Sequence, residues 1–235
     1  MNNHEDITKK EEGWMSRKQA WILFAVLFAI LVGVLWYLYA QKQQALVTQE
    51  NFVQLDPTFI EKTQKNIAQL KQLIEENPND NNLWRTLGTE YYALGEYANA
   101  QEALYKAVEL NTFDYLAYAN LGDVQRAMGD LVVAEESYKK AIARDPYYTP
   151  SYVSLAELYL SQNETAKAEE AYQAGIDVTS DSFLMKKYAV LLEELARYSD
   201  AISYWKLAQE KEPENALIAD EIKRLEALAG VTGTE

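Results

Sequence analysis

The sequence predicts an all-α protein in which a solenoid of helix-turn-helix repeats follows a single transmembrane helix. Two features of the 235-residue chain lead to this fold class. Small residues recur at a fixed step along the chain. The separation between Gly88 and Gly122 equals the separation between Ala100 and Ala134. An uninterrupted apolar run occupies residues 20–40. The fixed period indicates stacked units that bury their apolar faces against one another.

Residues 81–111 show what one unit contains. The apolar stripe of a first helix is formed, at helical spacing, by Trp84, Leu87, Tyr91 and Leu94. Gly95 ends that helix, and the stripe of a second helix is formed by Tyr97, Ala100, Leu104, Ala107 and Val108. Gly88 lies within the first stripe, where the missing side chain lets a partner helix approach closely. Neither helix can bury its stripe alone, so we expect the two to pack as a hairpin.

Two helices per unit and a period of about 34 residues resemble the tetratricopeptide repeat (TPR) family. Its pattern fits four units over residues 81–215. The matching positions are Trp84, Leu87, Gly88, Tyr91, Ala100 and Ala107; Leu121, Gly122, Ala134, Tyr138, Ala141 and Pro146; Leu155, Ala156, Tyr159, Ala168 and Tyr172; and Tyr188, Ala189, Leu192, Ala201, Trp205, Ala208 and Pro213. The pattern departs at Thr112 and Ser180, which replace a closing Pro, and at Gly175, which replaces a small Ala. The resemblance implies a right-handed α-solenoid of TPR units.

Helices are also expected on both sides of the four units. Residues 57–80 carry an apolar stripe after Asp56-Pro57, a helix-starting pair, and predict a leading cap helix or a partial repeat. Residues 216–229 predict a C-terminal cap helix, because Ile, Leu and charged residues alternate at helical spacing. Residues 230–235 are expected to fray.

The N-terminal region predicts a membrane anchor. Residues 1–19 are polar and predict a disordered tail, and residues 41–56 predict a stalk or linker. Residues 20–40 would span about 30 Å as a helix, the thickness of the hydrocarbon core of a bilayer. Aromatic residues flank the run, with Trp21 at one end and Trp36 and Tyr37 at the other. A cleaved signal peptide would have a shorter apolar core and a small-x-small site, which residues 38–40 lack.

Basic residues set the expected orientation of this anchor. Lys9, Lys10, Arg17 and Lys18 precede it, whereas Lys42 is the single basic residue in the twenty that follow. Basic flanks stay cytoplasmic, so the repeats are predicted to be extracytoplasmic, in the periplasm or at the cell exterior if the source is a bacterium. Small residues spaced four apart within the span predict a helix-pairing stripe, which is formed by Ala25, Ala29 and Gly33.

Composition excludes several kinds of chemistry. The chain has no Cys and its single histidine is His4, so thiolate sites, imidazole zinc sites and Ser-His-Asp triads are absent from the repeats. No Gly-rich phosphate loop is present, and the carboxylate pairs fall on exposed helix positions where no pocket would raise a pKa. Residues 41–235 hold 18 Lys and Arg against 32 Asp and Glu, which disfavours nucleic acid as a partner. The sequence therefore predicts no enzyme, no cofactor and no metal.

What remains is a binding surface. By resemblance to the family, the first helices line a concave groove that holds a protein or peptide. The groove positions would be Arg85, Thr89, Tyr92, Leu116, Asp123, Arg126, Val153, Glu157, Leu160, Phe183, Lys186, Val190 and Glu193. The alternative for several of them is packing between helices.

The predicted function is that of a membrane-anchored TPR scaffold or adaptor, which acts in the assembly or maintenance of an envelope complex. Its predicted partners are proteins or peptides, and the lipid bilayer through residues 20–40. Two alternatives stay open. One is a structural subunit of a membrane homo-oligomer, and the other is a chaperone that binds unfolded clients weakly and broadly.

Overall fold

The computed structural model describes residue 33 and residues 56–232, and residues 56–232 form ten α-helices and no strand. They are α1 (Pro57–Glu76), α2 (Asn81–Ala93), α3 (Tyr97–Leu110), α4 (Tyr115–Met128), α5 (Leu131–Arg144), α6 (Thr149–Ser161), α7 (Thr165–Thr179), α8 (Ser182–Glu194), α9 (Tyr198–Lys211) and α10 (Ala216–Thr232). The all-helical repeat solenoid predicted from the sequence is confirmed. Helix α10 continues past residue 229, the predicted end, as far as Thr232.

Apart from residue 33, the predicted transmembrane helix of residues 20–40 lies outside the described residues, as do the tail of residues 1–19 and most of the linker. Of the proposed helix-pairing stripe, the structure describes Gly33, which is helical, and leaves out Ala25 and Ala29. Among the helices that are described, none is both long and apolar enough to cross a membrane.

The helices form four hairpin units, each with a first helix (α2, α4, α6 or α8) and a second helix (α3, α5, α7 or α9). Helix α1 packs against α2, and α10 packs against α9. Along the described repeats, the first helices of units one, two and three each contact the first helix of the following unit, whereas no second helix packs directly against another second helix. The first helices are therefore closer together, and they form the inner, concave side of a curved stack.

The turn inside each unit has the same backbone geometry. Gly95, Gly129, Asn163 and Ala196 all have positive φ angles, of 74°, 86°, 61° and 56°. They follow one another along the chain at the repeat step of about 34 residues. A left-handed residue at this point reverses the chain between the two helices, which explains why glycine occupies two of the four positions.

Small residues allow the two helices of a unit to pack closely. A Cβ atom on Gly88 would lie 2.6 Å from Leu104 Cγ, and one on Gly122 would lie 2.6 Å from Tyr138 Cε1. Ala100, Ala134 and Ala168 are fully buried on the facing second helices. These contacts explain the periodic recurrence of small residues in the sequence. The first helices are consequently held in a fixed register along the concave side.

Candidate functional site

The predicted groove residues all lie on the four first helices. Helix α2 carries Arg85, Thr89 and Tyr92; α4 carries Leu116, Asp123 and Arg126; α6 carries Val153, Glu157 and Leu160; and α8 carries Phe183, Lys186, Val190 and Glu193. Three of these helices begin after an aspartate whose carboxylate accepts a hydrogen bond from the first turn. These aspartates are Asp80, Asp114 and Asp181. Such caps fix where each helix starts, and with it the direction of the groove side chains.

A chain of charges crosses three neighbouring first helices. Arg126 Nη1 lies 3.4 Å from Glu157 Oε2, and Arg126 Nη2 lies 3.8 Å from Asp123 Oδ1. Lys187 is not among the predicted groove positions, and its Nζ lies 3.6 Å from Glu157 Oε1. Two cations and two carboxylates thus offset one another in the middle of the groove, which leaves no excess charge there for a charged ligand.

Asp123 links this chain of charges to the core of its own unit. Tyr138, which is fully buried, donates a hydrogen bond from its hydroxyl to Asp123 Oδ1 at 2.7 Å. Burial raises the pKa of Asp123, although the Tyr138 hydroxyl and the Arg126 guanidinium oppose that shift. Burial also raises the pKa of the neighbouring Tyr92, with the Asp123 carboxylate as the second cause. Asp123 is therefore a positioning group for the central groove.

Other polar groove residues join adjacent units. Arg85 Nε donates to Asp114 Oδ2 at 3.1 Å, and Asn81 Nδ2 donates to the same oxygen at 2.7 Å. Asn120 Nδ2 donates to Thr89 Oγ1 at 3.3 Å, again across one unit boundary. These side chains fix the spacing of the first helices, so their hydrogen-bonding groups are already engaged.

The C-terminal end of the groove is held in the same way. Lys186 Nζ lies 2.6 Å from Glu212 Oε1, and Ser182 donates a hydrogen bond to the same carboxylate. Arg224 of α10 donates from Nη1 and Nη2 to the two oxygens of Glu193, at 2.8 and 2.7 Å. Hydrogen bonds from Arg224 lower the pKa of Glu193. Helix α10 is thereby fixed against α8, and it continues the series of first helices.

The apolar groove positions differ in how much surface they offer. Tyr92, Phe183 and Val190 expose 36%, 49% and 42% of their surfaces, and Leu116 and Leu160 are half-buried. Val153 is only 8% exposed and belongs to the core, so it offers little surface to a ligand. The accessible apolar surface is therefore concentrated on α2, the ends of α4 and α6, and α8.

One residue of this surface is not among the predicted groove positions. Leu217 is 75% exposed and is the second residue of α10, just as Leu116 and Phe183 are the second residues of α4 and α8. It lies one repeat step beyond Phe183, in a helix that the sequence predicts only as a cap. We call Tyr92, Leu116, Leu160, Phe183, Val190 and Leu217 the apolar track.

Among the described residues, the acidic side chains of this face are not clustered. Within residues 56–232 no three Asp, Glu or His side chains are grouped closely enough to hold a metal ion. The groove carboxylates of Asp123, Glu157 and Glu193 face cations or a tyrosine hydroxyl at the distances given above. The arrangement is suited to contact with another molecule through apolar side chains.

Comparison with known proteins agrees with this geometry. Two family models described as Tetratricopeptide repeat match residues 85–149 and 125–187. The crystal structure of MamA is 29% identical and aligns with 64% of this chain and 88% of its own, with a TM-score of 0.54. The structure of YrrB, a TPR protein with an unusual peptide-binding site, is 18% identical and aligns with 68% of this chain and 84% of its own, with a TM-score of 0.50.

A third similar structure is the C-terminal part of a TPR repeat-containing protein from Cytophaga hutchinsonii. It is 16% identical and aligns with 74% of this chain and 70% of its own, with a TM-score of 0.61. No curated protein sequence matches the chain. Residues 85–187 thus match the tetratricopeptide repeat family, whose members generally mediate protein–protein interactions.

Proposed function

We propose that this chain is a membrane-anchored TPR scaffold that binds protein partners through the apolar track on its concave face. The observation that carries the proposal is the contrast between the two kinds of groove side chain. The charged groups are engaged with one another, whereas Tyr92, Phe183, Val190 and Leu217 remain exposed. Exposed aromatic and aliphatic groups beside satisfied polar groups are typical of the centre of a protein-binding surface.

The partner would present apolar side chains in a helix or an extended segment. The central groove has balanced charge, so selectivity would come from the positions of the apolar side chains. The engaged polar groups keep the first helices in place before binding, and a groove that is already formed loses less entropy when the partner docks.

The anchor defines where this recognition takes place. If residues 20–40 span the bilayer with residues 1–19 in the cytoplasm, the repeats are tethered at the opposite membrane surface. Tethering raises their effective concentration for partners in the same membrane, without any new contact. This placement supports a role in holding together an envelope complex, and catalysis is not part of the proposal.

Crosslinking in intact cells followed by a pull-down tests the proposal. The variant Tyr92→Ala/Phe183→Ala/Leu217→Ala removes the exposed groups of the apolar track. The control is Val132→Ala/Val178→Ala, which truncates exposed residues of second helices. We expect the control to retain the same crosslinked partner as the wild type, and the track variant to lose it while its circular dichroism spectrum is unchanged. Retention of the partner by the track variant would reject the groove as the docking site.

A further inference from the structure

The first unit has a cleft on the side that faces away from the concave groove. It has a volume of about 330 Å³ and opens between α1 and α3, with α2 at its floor. Its floor is formed by Ile74, Trp84, Leu87, Tyr91 and Ala103. The indole N–H of Trp84 is satisfied, because it donates to the carbonyl oxygen of Pro78 at 2.8 Å. A floor of this kind accepts an apolar group without leaving a buried polar atom unpaired.

The corresponding positions of the next unit are arranged differently. One repeat period after Lys71, Tyr91 and Ala103, the chain has Tyr105, Gln125 and Ser137. In that unit Ser137 Oγ donates to Gln125 Oε1 at 2.6 Å, and Gln125 Nε2 donates to Tyr105 Oη at 3.3 Å. This hydrogen-bonded set links α3 to α5 through the side chain of Gln125 on α4. In the first unit Ala103 makes no such bond, so the space between α1 and α3 stays open.

Charge at the rim indicates the chemistry of a ligand. The rim carries Lys71, Glu75, Asn99 and Glu102. Lys71 is engaged, since its Nζ lies 5.5 Å from the centre of the Tyr91 ring, and Asn99 donates to Glu96 at 2.7 Å. Glu75 and Glu102 make no ion pair or side-chain hydrogen bond with another described residue, unlike the paired carboxylates of the groove. With the charge of Lys71 counted, the two carboxylates leave the rim with a net charge of −1, which attracts a cation.

We propose that this cleft is a second docking site, which takes one large apolar side chain of a partner helix that carries Lys or Arg beside that side chain. The apolar group would lie on Trp84 and Leu87, and the basic groups would pair with Glu75 and Glu102. The site is separate from the concave groove, so one chain can hold two protein segments on opposite faces.

Fluorescence anisotropy on the full-length chain tests this proposal with a defined probe. The probe is a fluorescein-labelled, alanine-based helical peptide with one Phe and with Lys three residues before and four residues after it, which places all three on one face. One matched peptide replaces Phe with Ala, and the other replaces both Lys with Glu. We expect the first change to weaken binding by more than about tenfold, as the loss of a buried apolar side chain predicts.

Variants of the protein separate the cavity from the charge. Ala103→Leu fills the floor, and Asn99→Phe covers the opening from an exposed position that does not endanger folding. Each should remove the preference for Phe over Ala in the peptide. Glu75→Gln/Glu102→Gln should weaken binding about fivefold. The charge-matched Glu170→Gln/Glu210→Gln, on exposed positions of α7 and α9, should change it less than twofold.

The outcomes are distinct from those for the groove. The variant Tyr92→Ala/Phe183→Ala/Leu217→Ala should bind the probe peptide like the wild type, whichever result the groove experiment gives. Equal affinity for the Phe and Ala peptides, or equal effects of the two charge variants, would overturn the proposal. A self-association that Asn99→Phe abolishes, together with no peptide binding, would overturn it in favour of a second copy of this chain.

Discussion

Gly122 provides a direct test of how the repeats are packed. It lies in α4 against Tyr138, whose ring is completely buried and whose hydroxyl is held by Asp123. In the variant Gly122→Ala, the new Cβ would lie 2.6 Å from Tyr138 Cε1 and 2.7 Å from Cδ1. Ordinary contacts of this kind are 3.4–4 Å long, so the ring or the helix must move to make room.

Two opposing terms set the size of the effect. Overpacking of this kind costs about 1–3 kcal/mol, and occasionally more, when the neighbouring group cannot move. Alanine is favoured over glycine inside a helix by about 1 kcal/mol, which offsets part of that cost. Because the Tyr138 ring is enclosed and its hydroxyl is bonded, we expect the upper part of the range. The free energy of unfolding should therefore fall by about 1–2 kcal/mol, the difference between these two terms.

Urea denaturation followed by circular dichroism measures this change. The matched control is Gly230→Ala, the same substitution in α10 at a position with nothing within 4 Å. It should leave the free energy of unfolding unchanged or raise it by up to about 1 kcal/mol. If Gly122→Ala were as stable as the control, the close contact between α4 and α5 would not be what fixes the period of small residues.

Three further predictions concern the turns, the unit boundaries and the buried polar groups. Ala196→Gly should raise the free energy of unfolding by about 0.5–1 kcal/mol in urea denaturation. A left-handed φ costs a non-glycine residue about 1–2 kcal/mol, and the greater conformational entropy of glycine in the unfolded chain cancels part of the gain from removing that cost. Hydrogen bonds from Lys186 and Ser182 lower the pKa of Glu212 from 4.5 to about 2, so its stabilising contribution is present above pH 4.5 and is lost as the pH falls towards 2. Glu212→Gln should accordingly flatten the dependence of the melting temperature on pH in that window, and an unchanged slope would contradict this. Ser137→Ala should lower the free energy of unfolding by about 1–3 kcal/mol, since it leaves the buried Gln125 carbonyl without its donor, and Gln125→Leu in the same background should recover part of the loss.

Much of the fold could be predicted from periodicity. The recurrence of Gly88 and Gly122, and of Ala100 and Ala134, reflects contacts between helices of the same unit that are repeated along the chain. Contacts of this kind depend on local sequence, so a period is enough to reveal them. The groove positions follow from the same period once the first helices are known.

Other parts of the site could not be predicted in this way. Val153 belongs to the core and not to the open surface, because a small rotation of α6 decides which of its apolar residues is covered. The bond from Arg224 to Glu193 joins residues 31 positions apart whose side chains meet only after α9 has folded between them. Pairing of the groove charges likewise depends on side-chain geometry that no sequence period contains.

Docking of partners on the concave face is tested most directly by site-specific photocrosslinking in intact cells. The photoreactive amino acid p-benzoylphenylalanine would replace Tyr92, Phe183 or Leu217 in three separate variants, and Val132 or Val178 on second helices in two others. The account predicts a crosslinked adduct of the same mass from the first three positions and none from the last two. Adducts of equal yield from Val132 and Val178, or adducts from those positions alone, would contradict it.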